Sequence, residues 1–169
     1  MDWNDKITVK KGNIGERLVD EYLLARGYIP YRPVEGYAHP FDRLCASPDK
    51  RTIFVADAKA KPARKYYPDT GINIKTFNEY KYIQDKYNID VFLFFVDEDA
   101  MRIYGEFLRV LEKPRRIEHN GKELRYPLMQ PPIIYFPLSI MRNIAPIKPD
   151  DVAMLKHYST RSLDYRVLE

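Results

Sequence analysis

The sequence predicts an α/β fold, a central mixed β-sheet flanked by helices and followed by a β-rich C-terminal extension. Three observations carry this expectation. Amphipathic helical stretches alternate with strand-like ones through the first two thirds of the chain. Two of the strand-like stretches are apolar on both sides, as strands inside a covered sheet must be. After residue 126, six prolines keep regular structure short.

Each element follows from local pattern. Asn13 reads as a helix N-cap, Ile14, Leu18, Tyr22 and Ala25 recur at helical spacing, and Gly27 stands where a C-terminal cap belongs, so a helix is expected over 14–26. Residues 28–31 read as a short strand, Pro33 and Gly36 break it, and a second extended stretch covers 41–46 before the turn at Ser47-Pro48-Asp49-Lys50. Over 51–61, period two places Ile53, Val55, Asp57, Lys59 and Lys61 on one side and Phe54, Ala56, Ala58 and Ala60 on the other. A Pro-, Tyr- and Lys-rich loop follows. Phe77, Tyr80, Ile83 and Tyr87 then form one stripe of a helix over 74–87. Residues 91–96 are a buried strand, with 102–111 as its hairpin partner. In the last third, Asn120-Gly121 predicts a tight hairpin, with a strand near 133–136 and a short helix near 150–157.

With 169 residues, the chain is expected to form one core over 1–112, with 113–169 as an extension packed on it and not an independent domain. The single cysteine, Cys45, excludes an intrachain disulfide and a cysteine-rich zinc site. The charged N-terminus and the lack of any long apolar run point to a soluble, cytoplasmic protein that does not enter membranes. Twenty-eight Lys and Arg against 24 Asp and Glu give +4 and a pI near 9.0, which is permissive for nucleic acid. The charge is uneven: residues 59–86 hold seven basic side chains against three acidic ones.

The chemistry concentrates at Asp57-Ala58-Lys59, preceded by Asp42 on a neighbouring extended segment and Glu16 on the first helix. An acid-x-Lys triplet is common by chance, and a second, Glu79-Tyr80-Lys81, occurs here. Context separates them. On a strand, positions i and i+2 share a face, whereas on a helix they diverge by about 200°. Asp57 and Lys59 therefore converge at the end of an apolar strand, where an acid deprived of solvent needs a partner or a cation. A second carboxylate about 4 Å away repels the first by about 4 kcal/mol at an effective dielectric near 20. A divalent ion reverses that sign, and an all-oxygen set suits Mg²⁺ or Mn²⁺. Lys59 beside such an ion is placed to orient water and offset charge on a phosphorane-like transition state.

The order Gly12-x-x-Gly15-Glu16 on a helix ending in Gly27-Tyr28, then His39-Pro40-Phe41-Asp42, then an apolar strand ending in Asp57-Ala58-Lys59, resembles the PD-(D/E)xK nuclease superfamily. That superfamily includes archaeal Holliday-junction resolvases and many restriction endonucleases. The resemblance spans residues 10–96 and implies a restriction-endonuclease-like core. It makes Asp42 and Asp57 metal ligands, gives Ala58 a ligating carbonyl, makes Glu16 the helix carboxylate bound directly or through water, and assigns the water-positioning lysine to Lys59. Two departures stand out: Pro40 lies two residues before Asp42 instead of one, and Asp57 replaces the commoner glutamate.

The expected activity is that of a metal-dependent endodeoxyribonuclease using activated water, with Mg²⁺ or Mn²⁺ as cofactor and DNA as partner. The alternative is an inactive nucleic-acid-binding or assembly module with the same fold. Lys61, Arg64, Lys65, Tyr66, Tyr67 and Lys75 combine cations with aromatic rings and are expected to follow phosphates and stack on bases. A homodimer is compatible with the sequence, with 133–136 or the Asn120-Gly121 hairpin offering either a dimer surface or a DNA contact. Structural readings stand beside these: Glu16 as a surface ion-pairing residue, Asp42 as a cap, and Asp57 with Lys59 as a same-face ion pair.

Overall fold

The computed structural model describes residues 6–34, 39–130 and 132–159; Gly36 and Pro131, read above as breakers, lie outside them. Helix α1 (Ile7–Ala25) leads to β1 (Ile29–Tyr31), β2 (Arg43–Ala46), β3 (Ile53–Ala60) and β4 (Asp69–Asn73). Helix α2 (Ile74–Tyr87), β5 (Asp90–Asp97), β6 (Arg102–Phe107) and the single-turn α3 (Leu108–Leu111) follow. The last third holds β7 (Arg115–His119), β8 (Lys122–Tyr126), β9 (Leu128–Gln130), β10 (Ile133–Pro137), β11 (Arg142–Pro146) and α4 (Pro149–His157).

Six strands form the central sheet in the order β1-β2-β3-β5-β6-β11. Among the described residues, only β3 and β5 run parallel in this sheet, linked through β4 and α2; its other pairs are antiparallel, so the sheet is mixed. The two-sided apolar character of β3 and β5 has its cause in the layers. Phe54, Ala56, Ala58, Phe92, Phe94 and Val96 pack against Ile14, Leu18, Val19 and Leu23 of α1 and against Val152 and Leu155 of α4. Val55, Val91, Leu93 and Phe95 pack on the opposite side against Tyr80 and Ile83 of α2, together with Leu108 and Leu111. Asp57 and Lys59 therefore belong by parity to the α2 side.

Helix α1 starts at Ile7, a full seven residues before the expected Ile14, and Asn13 is not its cap. Tertiary contact overrides the local signal: Lys11 Nζ lies 2.6 Å from Glu98 Oε1 and 2.9 Å from Ser159 Oγ. These contacts anchor the extra turns. Gly15 has a packing reason, because a Cβ there would come within 2.7 Å of Ala60 Cβ on β3. The far end agrees with the sequence: Gly27 has φ +80, and its N–H and that of Tyr28 return to Leu24 and Leu23 in a Schellman closure.

Helix α2 has the expected bounds, with Asn73 Oδ1 accepting from Lys75 N at 2.8 Å. Three strands were not expected. β4 arises from the supposed loop because it pairs with β10, some sixty residues later, and a Cβ on Gly71 would strike the Ile134 carbonyl oxygen. β9 extends that small sheet, and β11 becomes an edge of the main one. The expected strand over 102–111 stops at Phe107, where Leu108 and Leu111 turn into the core as α3. The Asn120-Gly121 turn forms as expected, both residues at positive φ (50° and 72°), between β7 and β8. Within β10, Ile134 and Phe136 are buried, which leaves no surface at those two side chains for a partner.

Candidate active site at the end of the central strand

Register brings the acids together. β2 and β3 pair antiparallel with Arg43 opposite Ala56, so the next step outward sets Asp42 across from Asp57. Asp42 lies one residue before the strand and not within it, and its Oδ2 accepts a hydrogen bond from the Ala58 N–H at 3.0 Å. Asp57 is 0 % exposed. Lys59, two residues on and a third exposed, places Nζ 2.7 Å from Asp57 Oδ2. Apart from that ion pair, neither Asp57 oxygen makes a well-formed hydrogen bond, though Asp42 and the Tyr80 hydroxyl lie close enough to interact with the carboxylate.

Burial dominates the electrostatics. It pushes the Asp57 carboxyl up to about 7, with the Asp42 charge adding to the rise and Lys59 opposing it. Burial likewise raises Glu16, helped by Asp42 and resisted by Arg43 and Arg32. For Lys59, burial disfavours the charged form, but Asp57, Asp42 and Glu16 outweigh it and the ammonium is held more firmly than usual. These mutual influences place Glu16, Asp42, Asp57 and Lys59 in one neighbourhood. Glu16 is also ion-paired, 3.2 Å from Arg32 Nη1 and 3.6 Å from Arg43 Nη2.

The site can attract a cation. An anion in a low-dielectric setting with unmet acceptor capacity is costly, and a hard cation is one way to meet it. Asp57 and Asp42 offer carboxylate oxygens, with the Ala58 carbonyl on β3 and Glu16 on α1 nearby. Among the described residues, no three His, Cys, Asp or Glu side chains are grouped so that together they could hold a metal ion. The two aspartates are thus the kernel, and Mg²⁺, which keeps several waters, is suited to so few protein ligands.

Several contributors were missed in the sequence. Tyr80, the middle residue of the decoy triplet, is buried on α2; its hydroxyl is pushed up by that burial and by the Asp57 charge. Lys81 beside it points away, to Asp85 and Glu112. Arg43 is completely buried with Nε 2.7 Å from Asp20 Oδ1, and Arg32 also pairs with Asp20. The signal for Asp20 was present: it stands four residues after Glu16 and so shares its helix face.

The remaining predicted residues lie around this centre. Lys61 continues the strand face, and burial first, then the Lys59 charge, lowers its pKa to about 8. Arg64 gives both its Nε and Nη2 to the buried Asp69, at 2.6 and 2.5 Å, and lies 4.4 Å from the Tyr67 ring and 3.8 Å from the Tyr135 ring. Its charge is already engaged. Lys65 and Tyr66 are exposed at the loop tip, and Lys75 is exposed at the first turn of α2 beside a groove of about 670 Å³ that Pro40 also lines.

The fold has a counterpart among known structures. The chain superposes on the Holliday junction resolvase Hjc of Archaeoglobus fulgidus with a TM-score of 0.50 at 11% identity, covering 76% of this chain and 90% of that one. The chain has a resolvase-like fold. No protein-family profile matches it, and no curated protein matches it in sequence. Among the described residues, no helix is long and apolar enough to cross a membrane.

Proposed function

We propose that this protein is a divalent-metal-dependent endonuclease that hydrolyses phosphodiester bonds in DNA with water as nucleophile and no covalent intermediate. The observation that carries this reading is Asp57: a fully buried carboxylate with unmet acceptor capacity, facing Asp42 and paired with Lys59 at the open end of β3. Asp42 and Asp57, with the Ala58 carbonyl, would hold Mg²⁺ or Mn²⁺, and Glu16 would reach the ion directly or through water. When bound, such an ion would polarise a phosphoryl oxygen and make a water more acidic. Lys59 leaves its pair with Asp57 to donate to the attacking water and to offset the charge that builds on phosphorus. The Ala58 N–H fixes the Asp42 carboxylate, and Tyr80 walls the buried side of Asp57 against bulk water.

DNA binds along Lys61, Lys65, Tyr66 and Lys75, with Arg64 and Tyr67 holding the loop in shape. A second copy of the chain is the natural means of cutting both strands symmetrically. The closed Lys59–Asp57 pair also favours a second reading, a module of the same fold that binds nucleic acid without turnover. Incubating purified protein with linear, flapped and four-way DNA, in Mg²⁺ or Mn²⁺ and in chelator, separates them. Cleavage in metal supports the enzyme; a gel shift without cleavage supports the module.

A further inference from the structure

Beyond Lys59, the chain enters the loop over 61–68, which has a second wall. The tip of the β7–β8 hairpin lies beside it, and loop and tip border an open cleft of about 390 Å³. The loop wall is stiff: the Arg64 N–H donates to the Asp69 carbonyl at 3.0 Å, its guanidinium grips the Asp69 carboxylate, and Tyr126 donates to the same carboxylate at 3.0 Å. From this wall Tyr66 projects with 71% of its surface exposed, and the Lys65 ammonium lies 5.4 Å from its ring. On the facing wall stand the His119 ring and the Asn120 amide, in mutual contact at 3.2 Å, with Lys122 in register opposite His119.

These are the components a nucleotide requires: an aromatic face for the base, an amide and an imidazole for its polar edge, and the Lys65 ammonium for phosphate. The volume lies at the lower end of pockets that hold small ligands. We infer that this cleft seats an unpaired nucleotide of the substrate strand, so that the enzyme acts on DNA with a single-stranded segment beside the cut in preference to continuous duplex. A paired, stacked base cannot present its face to Tyr66 without leaving the helix. The inference rests on the nuclease reading for its substrate, but the cleft can be tested without turnover.

The test is fluorescence anisotropy of the full chain in chelator, with a blunt duplex and the same duplex carrying a short single-stranded tail. The tailed DNA is expected to bind about 10-fold more tightly, the scale of one base stacked on an aromatic ring. Asn120→Gly, which keeps the turn and removes the amide, should erase most of that difference and leave blunt-duplex affinity unchanged, and Tyr66→Ala should lower affinity for the tailed DNA by more than affinity for the blunt duplex. Equal affinity for the two DNAs, or an equal loss on both from Tyr66→Ala, would overturn the inference. Cleavage of blunt duplex in Mg²⁺ without any tail preference overturns the cleft alone. Tail preference without cleavage in metal supports the cleft and overturns the nuclease reading.

Discussion

Replacing Asp57 with asparagine should make the protein more stable and abolish its cleavage. Asp57 has an ordinary carboxyl value of 3.8 when unfolded and about 7 when folded. Between those pH values the folded chain binds more protons than the unfolded one, so this group's contribution to stability falls as pH rises through the window. At about 1.4 kcal/mol per pH unit, keeping Asp57 ionised at pH 8 costs at most about 4 kcal/mol. Asp57→Asn removes that cost, and for a chain of this size each kcal/mol recovered raises Tm by about 2–4 °C. The assay is denaturant unfolding of both proteins in chelator at pH 5 and pH 8, where the difference between them isolates Asp57 from the other titrating groups. The variant should gain about 1–4 kcal/mol on the wild type at pH 8 and much less at pH 5, and Mg²⁺ should narrow the gap by stabilising only the wild type. A variant less stable than the wild type at pH 8 in chelator would refute the assignment of Asp57 as an unsatisfied buried anion.

Lys59→Ala should lower turnover by at least ~10²-fold, the loss typical of one preorganised electrostatic group, while calorimetry shows metal binding retained; Lys81→Ala should change either quantity little. Gly15→Ala and Gly12→Ala should have opposite signs in thermal unfolding. The first forces a contact with Ala60 and loses about 1–2 kcal/mol, whereas the second, with nothing within 4 Å, gains up to about 1 kcal/mol from helix propensity. Arg64→Ala strands the buried Asp69 and should cost about 3–5 kcal/mol in denaturant unfolding; Arg64→Ala as stable as the wild type would mean that the Arg64–Asp69 pair does not hold the loop.

The core elements were readable where local pattern and burial agree. β3 and β5 are covered on both sides, so their apolar runs carried the signal unaided, and α2 begins at a capping asparagine and ends at the left-handed Asn88. The missed elements owe their structure to distant partners. Thr70-Gly71-Ile72 is extended because β10 lies beside it, and nothing in those three residues announces that. The N-terminal turns of α1 depend in the same way on Glu98 and Ser159. At the site, the i, i+2 spacing of Asp57 and Lys59 was enough to bring them together on one face, as the 2.7 Å contact shows. Tyr80 and Arg43 were not readable, since a buried tyrosine on an apolar stripe and an arginine inside a strand differ from core and edge residues only once α1 and α2 are in place.

The central claim is that Asp57 lies at the heart of a metal-dependent phosphodiesterase site. The most direct test is cleavage of end-labelled DNA, including tailed duplex, by the wild type and Asp57→Asn side by side in Mg²⁺, in Mn²⁺ and in chelator. Products should appear with the wild type in either metal and be absent both in chelator and with the variant. Wild type that leaves every DNA intact in both metals, or cleavage that survives chelator or Asp57→Asn, would contradict the account.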